Sequence, residues 1–315
     1  MRQLYHQAVS IAEDVVQQAS TRNPQKNVIF ETPNIHRLRD KGYTAVDMHL
    51  HTAHSDGMPD VKRMLAKARA EGFGVAVTDH NEVSGSLMAC SLAEDVLVIP
   101  GIEVSCADGP HVLAYFYSPS DLEDFFRRVI RPARRSSPWL AVRASTSHLV
   151  DELERYPCLT VAAHPYGYLL FNKGVQKCID AEYLPEDILE GFEGYEVLCG
   201  GMTRALNLKA MQAAWERRLC YTGGTDAHTL QDYGRVVTCA YASDAPSFLT
   251  EVEKRKNIIV GLEKDPLMKV FTGTVMMGKH SRYFLPSMRV HLEQNLPRLP
   301  HYFKRKIRDL EERAR

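Results

Sequence analysis

Apolar runs of the length of a β-strand recur along most of the chain and alternate with amphipathic segments. The runs predict strands at 45–50, 74–78, 96–104, 111–117, 159–163, 194–198, 220–222 and 236–241. Segments with an apolar and a charged side predict helices at 60–71, 121–130, 140–153, 203–218 and 245–256. This alternation is typical of a parallel α/β barrel or a doubly wound sheet.

The two ends of the chain depart from this pattern. Residues 4–20 predict a helix, and 21–44 predict a polar connection interrupted by Pro24 and Pro33. From 278 onward, spaced prolines and a basic helical end indicate an extension that wraps the domain or forms a mobile tail. We therefore expect an N-terminal helix and connection at 1–44, a barrel at 45–277 and a C-terminal extension at 278–315.

The strand at 45–50 has an unusual polar face. Its apolar residues alternate with Asp47, His49 and His51, so the two imidazoles point the same way, close enough to hold one ion. The turn that follows contains Asp56. Histidines and carboxylates also lie where other strands begin or end: Asp79, His80, Glu103, His111, His164, Asp226 and His228. In α/β barrels the active site is built at such strand ends, so these side chains can converge.

Each of these residues also has an ordinary explanation. A lone histidine at a strand end is more often a hydrogen-bonded structural residue than a ligand, and Glu103 alone suits a salt bridge. All the ordinary explanations would have to hold at once, which favours a metal centre. Asp47 and Asp79 fit supports that accept a hydrogen bond from a ligand's second ring nitrogen. Imidazole and carboxylate ligands without thiolates suit two or three Mn²⁺, Fe²⁺ or Zn²⁺ ions.

Composition narrows the class of protein. The 315 residues contain 39 basic and 39 acidic side chains, so no overall field recruits nucleic acid or a membrane. Seven cysteines form no C-x-x-C pair, as in proteins of a reducing compartment. The sequence shows no signal peptide and no apolar stretch that crosses a bilayer. We expect a cytoplasmic protein without a membrane partner or an evident obligate protein partner.

The motifs resemble a known family. "DMHLHTAHSDG", "TDHN", "GIEVS", "HVLAYF", "AHP" and "GGTDAH" occur in the order and spacing of the PHP (polymerase and histidinol phosphatase) superfamily of metal-dependent phosphoesterases. The resemblance implies a distorted (β/α)7 barrel holding up to three metal ions. It also implies hydrolysis of a phosphate ester by a metal-activated hydroxide, with Glu103, Asp226 and His228 in catalytic roles.

The resemblance further implies a set of metal ligands. The first ion would be held by His49, His51, Glu103 and Asp226. Glu103 would bridge to a second ion, held also by His111 and His164. Asp56, His80 and His228 would hold the third. His54, in the same turn as Asp56, is expected to face solvent.

Several functions remain open within this resemblance. The form "HT-x-x-SDG" is most similar to nucleotide-type phosphoesterases, and less similar to histidinol-phosphate-type phosphatases. A nuclease acting at the 5′ end of short RNA is an alternative in the same class. A non-catalytic metal-binding barrel belongs to another class and would show eroded ligands. Amide hydrolysis, as in related amidohydrolases, would call for a barrel lysine within the motifs.

Arginines and aromatic residues near the strand ends are candidates for substrate contacts. We expect a small phosphorylated substrate, which could be a nucleotide or a short RNA. Its phosphate would be bound by Arg204, or by Arg135 and its neighbour Arg134. Arg204 is preferred because it opens a predicted helix, whose backbone amides favour an anion. Tyr166 and Tyr168 follow His164 and suit stacking on a base, or simple loop packing.

Overall fold

The computed structural model describes residues 26–167, 173–265 and 281–313. The helix predicted at 4–20 lies outside the described residues. Within the predicted polar connection, the structure has a short strand and a helix at Ile35–Asp40, which the sequence pattern did not predict. Asn34 starts this helix by accepting a hydrogen bond from the Arg37 amide, and Leu38 buries its side chain.

Ten strands form one sheet. In chain order they are β1 Val28–Ile29, β2 Thr44–Leu50, β3 Gly74–Val77, β4 Val98–Ser105, β5 His111–Phe116, β6 Cys158–Ala162, β7 Gly194–Cys199, β8 Cys220–Gly224, β9 Val236–Ala240 and β10 Ile258–Gly261. All eight predicted strands are present within about two residues of their predicted ends. β1 and β10 were missed because each is too short to show a periodic pattern.

The helices surround the sheet. The described α-helices are α1 Ile35–Asp40, α2 Val61–Glu71, α3 Ser84–Leu92, α4 Pro119–Phe125, α5 Arg131–Ala133, α6 Thr146–Leu153, α7 Val175–Asp180, α8 Arg204–Glu216, α9 Ala245–Glu253, α10 Phe284–Asn295 and α11 Leu299–Arg313. A π-helical segment, Phe126–Ile130, joins α4 to α5. The helix predicted at 140–153 begins only at Thr146, because Ser145 caps it and the preceding residues form a loop.

The strand order is β1-β10-β9-β2-β3-β4-β5-β6-β7-β8. β2, β3 and β4 are parallel, as are β6, β7 and β8, but β5 is antiparallel to both of its neighbours. β9 is also antiparallel to β2 and β10. A fully parallel sheet was therefore the wrong expectation. The connection from β4 to β5 is too short for a crossover helix, so the chain turns back as a hairpin.

The sheet curls until the end of β8 meets β2. The His51 amide donates to the Ala227 carbonyl at 2.9 Å, and the Asp226 amide donates to the His49 carbonyl at 2.8 Å. A Cβ on Gly224 would lie 2.4 Å from the His49 nitrogen, so only glycine allows this close approach. The curl brings the carboxyl ends of β2, β3, β4 and β8 to one mouth. Because β5 is antiparallel, its first residue, His111, lies opposite Ser105 at the same mouth.

Apolar side chains fill both sides of the sheet. Val46 and Met48 of β2 pack with Ile99, Leu113 and Tyr115 in one buried cluster. Along α2, the buried residues Val61, Met64, Leu65 and Ala68 pack against β3. The register of β2 against β3 shifts between Asp47 and Leu50, where the strand turns from core packing to the polar mouth.

Helix α10 packs on the mouth side of the sheet. The Gln294 side chain of α10 donates to the Cys106 carbonyl at 3.2 Å, and the Ser287 and Ser137 hydroxyls lie 3.0 Å apart. In the described ranges, no helix combines the length and the apolar character that a bilayer crossing requires. The seven cysteines, all in described positions, form no disulfide.

Candidate metal centre

The two imidazoles of β2 meet two carboxylates from other strands. His49 Nε2 and His51 Nε2 lie 3.2 Å apart. Glu103 Oε2 is 3.3 Å from the first nitrogen and 3.4 Å from the second, and Asp226 Oδ1 is 3.7 Å and 3.2 Å from them. Tetrahedral coordination with bonds of about 2.0–2.2 Å separates ligand atoms by roughly 3.3–3.6 Å. Each of the two carboxylate oxygens therefore lies at a ligand-like distance from both imidazole nitrogens.

Glu196 of β7 fixes which nitrogen His49 presents. Its Oε1 lies 2.9 Å from His49 Nδ1, and its Oε2 accepts from the His164 amide at 2.8 Å. A carboxylate only accepts hydrogen bonds, so His49 Nδ1 carries a proton and Nε2 is left to face the other ligands. Glu196 is buried. Sequence analysis did not identify it, because a glutamate inside an apolar strand matches no metal-binding motif.

Glu103 extends the cluster to a second group of imidazoles. Its Oε1 lies 2.9 Å from His111 Nδ1 and 3.2 Å from His164 Nε2. Its Oε2 lies 2.9 Å from His80 Nδ1, in addition to the contacts with β2. The carboxylate thus faces one set of nitrogens with each oxygen, which is the arrangement needed to bridge two ions.

A third group surrounds Asp56. Asp56 Oδ2 lies 3.3 Å from His228 Nε2 and 3.7 Å from His80 Nε2. His51 Nδ1 lies 3.8 Å from Asp56 Oδ1, so His51 faces the first group with one nitrogen and this group with the other. The nine predicted ligands therefore form one continuous cluster. His51, His80 and Glu103 link its three parts.

Two buried ring nitrogens in the cluster have no hydrogen-bond partner in the described part of the chain, His51 Nδ1 and His111 Nε2. Buried polar atoms are normally satisfied, and leaving them without partners costs free energy. Both belong to predicted ligands, and metal coordination would satisfy them. The donor set therefore fits divalent metal ions.

The carboxylates of the cluster are ionised. Burial alone would raise the pKa of the Glu103 carboxyl, but three neighbouring imidazoles hold it well below its ordinary value. Asp56 and Asp226 behave in the same way, each with histidines that overcome burial and lower the pKa. This concentration of negative charge in a buried site favours cations.

The pKa values of the imidazoles are shifted in opposite directions. Burial disfavours the charged form of His49 and His80, but carboxylates dominate: the pKa of His49 is well above its ordinary value, and that of His80 rises to about 9. Burial lowers the pKa of His111 to about 3, and burial with two neighbouring histidines lowers that of His51 to about 4. Metal binding at this cluster would therefore displace protons from His49 and His80.

Two of the predicted ligands have a strained backbone. His164 has φ 27° and Asp226 has φ 48°, both in the left-handed region that non-glycine residues rarely adopt. Such strain persists where the surrounding structure enforces it, and it is concentrated at functional sites. The buried Lys264 ammonium donates to the Asp226 carbonyl at 2.7 Å and helps to hold this conformation.

Asp47 and Asp79 support the site through its backbone and hydroxyls. Asp79 accepts from the Thr52 amide at 2.7 Å and from the Ser55 hydroxyl at 2.6 Å, holding the turn that carries Asp56. Asp47 accepts from the Thr225 amide at 3.0 Å, beside Asp226. The expectation that they accept from a ligand's ring nitrogen is wrong, because Asp47 bonds mainly to the β8 end and Asp79 to the turn.

The predicted phosphate-binding arginines are engaged by carboxylates. Arg204 is the first residue of α8, as predicted, but two of its nitrogens each lie 2.8 Å from an oxygen of Glu263. Its guanidinium also lies 3.8 Å over the Phe30 ring. Arg135 pairs with Glu293, and Arg134 pairs with Glu82. A substrate phosphate would have to compete with these carboxylates, so the geometry argues against the predicted roles.

The remaining candidates lie at the rim or outside the described residues. Tyr166 is half-buried, with the Lys209 ammonium 4.6 Å from its ring centre, and Tyr168 lies outside the described residues. His54 is half-buried and its Nδ1 is 2.8 Å from the Ser84 hydroxyl, away from the ligand cluster.

Known structures share this fold. The lesion-specific endonuclease Q of Pyrococcus furiosus superposes with a TM-score of 0.55 at 14% identity, over 69% of this chain and 57% of that one. PsfC from Pseudomonas syringae superposes with a TM-score of 0.52 at 19% sequence identity, over 75% of this chain and 99% of PsfC. A two-domain protein from Bacteroides vulgatus superposes with a TM-score of 0.51 at 16% sequence identity, over 74% of this chain and 68% of that one. That protein contains a predicted PHP-like metal-dependent phosphoesterase. At these identities the likeness shows the fold alone.

Models of protein families identify the family of the sequence. No curated protein matches this chain. The model of the PHP domain matches residues 47–207, and that of the PHP-associated region matches 204–256. The first match covers over half of the chain and includes seven of the nine predicted ligands. The other two, Asp226 and His228, lie within the second match. The chain belongs to the PHP domain family.

Proposed function

We propose that the protein hydrolyses a phosphate ester with the help of two or three divalent metal ions of the Mn²⁺, Fe²⁺ or Zn²⁺ type. The observation that carries this proposal is the convergence of Glu103 and Asp226 on His49 and His51, with each carboxylate oxygen 3.2–3.7 Å from the two imidazole nitrogens. When bound, such ions lower the pKa of water and neutralise charge on a phosphoryl group.

Three groups of residues are proposed to hold the ions. His49, His51, Glu103 and Asp226 would hold the first, and Glu103 with His111 and His164 the second. Asp56, His80 and His228 would hold the third. Glu103, Asp226 and His228 are proposed as catalytic residues, since all three border the place where these groups meet.

The protein itself contributes orientation and a dry environment. Glu196 fixes the His49 ring, and the carboxylates of Asp47 and Asp79 hold the two backbone segments that carry Asp226 and Asp56. His49, His51 and Glu103 are fully buried, so electrostatic interactions among them are little screened by water. This organisation supports catalysis over a non-catalytic metal-binding barrel, which would not need every ligand in place.

The proposal also covers the architecture. Seven strands, β2 to β8, would constitute the distorted (β/α)7 barrel, with the segment after β8 closing on β2. The barrel would span 45–277, between the N-terminal part at 1–44 and the C-terminal extension at 278–315.

A substrate screen tests the proposal. Manganese-loaded protein is incubated with small phosphate monoesters, nucleoside 3′,5′-bisphosphates, short 5′-phosphorylated RNAs and DNA carrying an abasic site, and released phosphate and nucleotides are measured. We expect phosphate release from a monoester or bisphosphate, and its loss in the His49→Ala, His51→Ala double variant. Cleavage of nucleic acid alone would favour the nuclease alternative. No release from any substrate would contradict the proposal.

A further inference from the structure

A phosphate subsite needs a cation with unused hydrogen-bond donors. The three arginines that the sequence suggested are each paired with a carboxylate, so a substrate phosphate would have to compete with that carboxylate for each of them. The described part of the chain nevertheless contains a buried cation beside the metal centre that has none of these partners. This residue is Lys173.

The Lys173 ammonium is buried and unsatisfied. The residue is 7% exposed, and its Nζ has no hydrogen-bond acceptor among the residues that the structure describes. Lys264, the other buried lysine near the site, differs because it donates to the Asp226 carbonyl at 2.7 Å. Burying an ammonium without a partner is costly, so its donors are expected to serve a ligand.

The backbone fixes Lys173 between two predicted ligands. Its carbonyl accepts from the His111 amide at 2.9 Å. On the other side, the Lys177 amide donates to the Pro165 carbonyl at 3.1 Å, directly after His164. A Cβ on Gly174 would lie 2.2 Å from that same Pro165 oxygen, so the two segments are in tight contact. Lys173 therefore lies at the Glu103, His111 and His164 side of the cluster.

Charged groups of both signs lie near the Lys173 ammonium. Glu103 is the foremost favourable charge acting on it, and Arg298 of the C-terminal extension is the foremost unfavourable one. The Arg298 guanidinium is directed to the Asp108 carbonyl and the Tyr183 ring, and it offers no acceptor to the ammonium. If Glu103 holds metal ions, its charge is shared with them, and an incoming anion would then balance the Lys173 ammonium.

We propose that Lys173 is a substrate-binding residue that donates hydrogen bonds to a phosphate group at the Glu103, His111 and His164 side of the metal centre. The inference rests on the proposed function and names a further contact for its substrate. A lysine ammonium suits this position because it is a compact charge with three donors, as in other phosphate sites.

Phosphate binding to Lys173→Met tests this proposal. Inorganic phosphate is titrated calorimetrically into metal-loaded wild-type protein and variants, with metal content measured in each. A charge-assisted hydrogen bond is worth about 10- to 100-fold in affinity, and we expect that loss in Lys173→Met. Lys173→Arg, which keeps the charge, should recover most of the affinity. The matched control is Lys177→Met, one helical turn away and half-buried, which should bind phosphate as the wild type does.

Two results would overturn the proposal. One is phosphate affinity in Lys173→Met equal to that of the wild type; the other is loss of metal in this variant, which would make Lys173 a support of the metal centre. Removing an unpaired buried charge should not destabilise the fold. If Lys173→Met nevertheless fails to fold, a crystal structure of wild-type protein with metal and inorganic phosphate decides the matter. Phosphate bound away from Lys173, or no bound phosphate, would overturn the proposal.

The test is separable from that of the proposed function. If wild-type protein hydrolyses phosphate esters and Lys173→Met binds phosphate normally, only the role of Lys173 is wrong. If phosphate binding depends on Lys173 but no ester is hydrolysed, the subsite stands and the proposed activity is wrong.

Discussion

Replacing Glu196 by glutamine should weaken metal binding at His49 while leaving strand β7 in place. The two oxygens of Glu196 accept from two different donors, His49 Nδ1 at 2.9 Å and the His164 amide at 2.8 Å. Glutamine keeps the size of the side chain but has one oxygen and one NH₂ group. It can therefore satisfy only one of these donors.

Either orientation of the glutamine harms the site. If its oxygen faces His49, its NH₂ group meets the His164 amide, donor against donor. If its oxygen faces His164, the NH₂ group donates to His49 Nδ1, and the proton moves to Nε2, the nitrogen that faces the other ligands. Loss of such a supporting contact costs about 10- to 100-fold in metal affinity, or roughly 1.4–2.8 kcal/mol.

Competition with a chelating dye measures the effect. Manganese or zinc affinity is determined for wild type, Glu196→Gln and the matched control Glu193→Gln. Glu193 precedes β7, and its carboxylate accepts from the Thr160 amide at 2.7 Å, far from the ligand atoms. We expect the control to keep wild-type affinity. Equal affinities in Glu196→Gln and Glu193→Gln, with both folded, would show that Glu196 does not orient His49.

Three further predictions follow from the same geometry. Glu103→Gln removes the negative charge that faces both groups of nitrogens, and we expect kcat/KM on the best substrate to fall on the order of a thousandfold, whereas near-normal turnover would make Glu103 structural. Because carboxylates raise the pKa of His49 and that of His80 to about 9, metal binding at pH 7.5 should release about two protons per chain in weakly buffered titrations. That release should decrease as pH rises through about 9, since His80 then loses its proton before metal arrives; a release independent of pH would refute this. Arg204→Ala should leave kcat/KM within about twofold and cost less than about 1 kcal/mol of unfolding free energy, since its half-exposed pair with Glu263 is already complete; a large loss of kcat/KM would restore its predicted role.

The sequence predicted the strands of this fold better than their directions. The strand at β5 was predicted from its apolar run, but its antiparallel direction follows from the short connection after β4, which a periodicity pattern does not show. Similarly, 140–145 has a helical pattern, yet the Val142 amide donates to the Ser105 carbonyl and holds a loop against β4. Contacts between distant segments decided both cases.

The ligands could be proposed from sequence because they lie in short motifs at strand ends. Glu196 and Lys173 could not, since each is a lone charged residue whose partner or role depends on strands and helices far away in the chain. The same holds for Arg204: its pairing with Glu263, 59 residues later, removes donors that a sequence pattern shows as available.

Metal content measured on the purified protein tests the central claim most directly. Protein prepared without chelator is analysed by elemental mass spectrometry, beside the His49→Ala, His51→Ala double variant. The account predicts at least two transition-metal ions per wild-type chain, since the ligands form three linked groups, and at least one fewer in the variant. A wild-type chain without stoichiometric metal that still turns over substrate, or a folded variant with unchanged metal content, would contradict it.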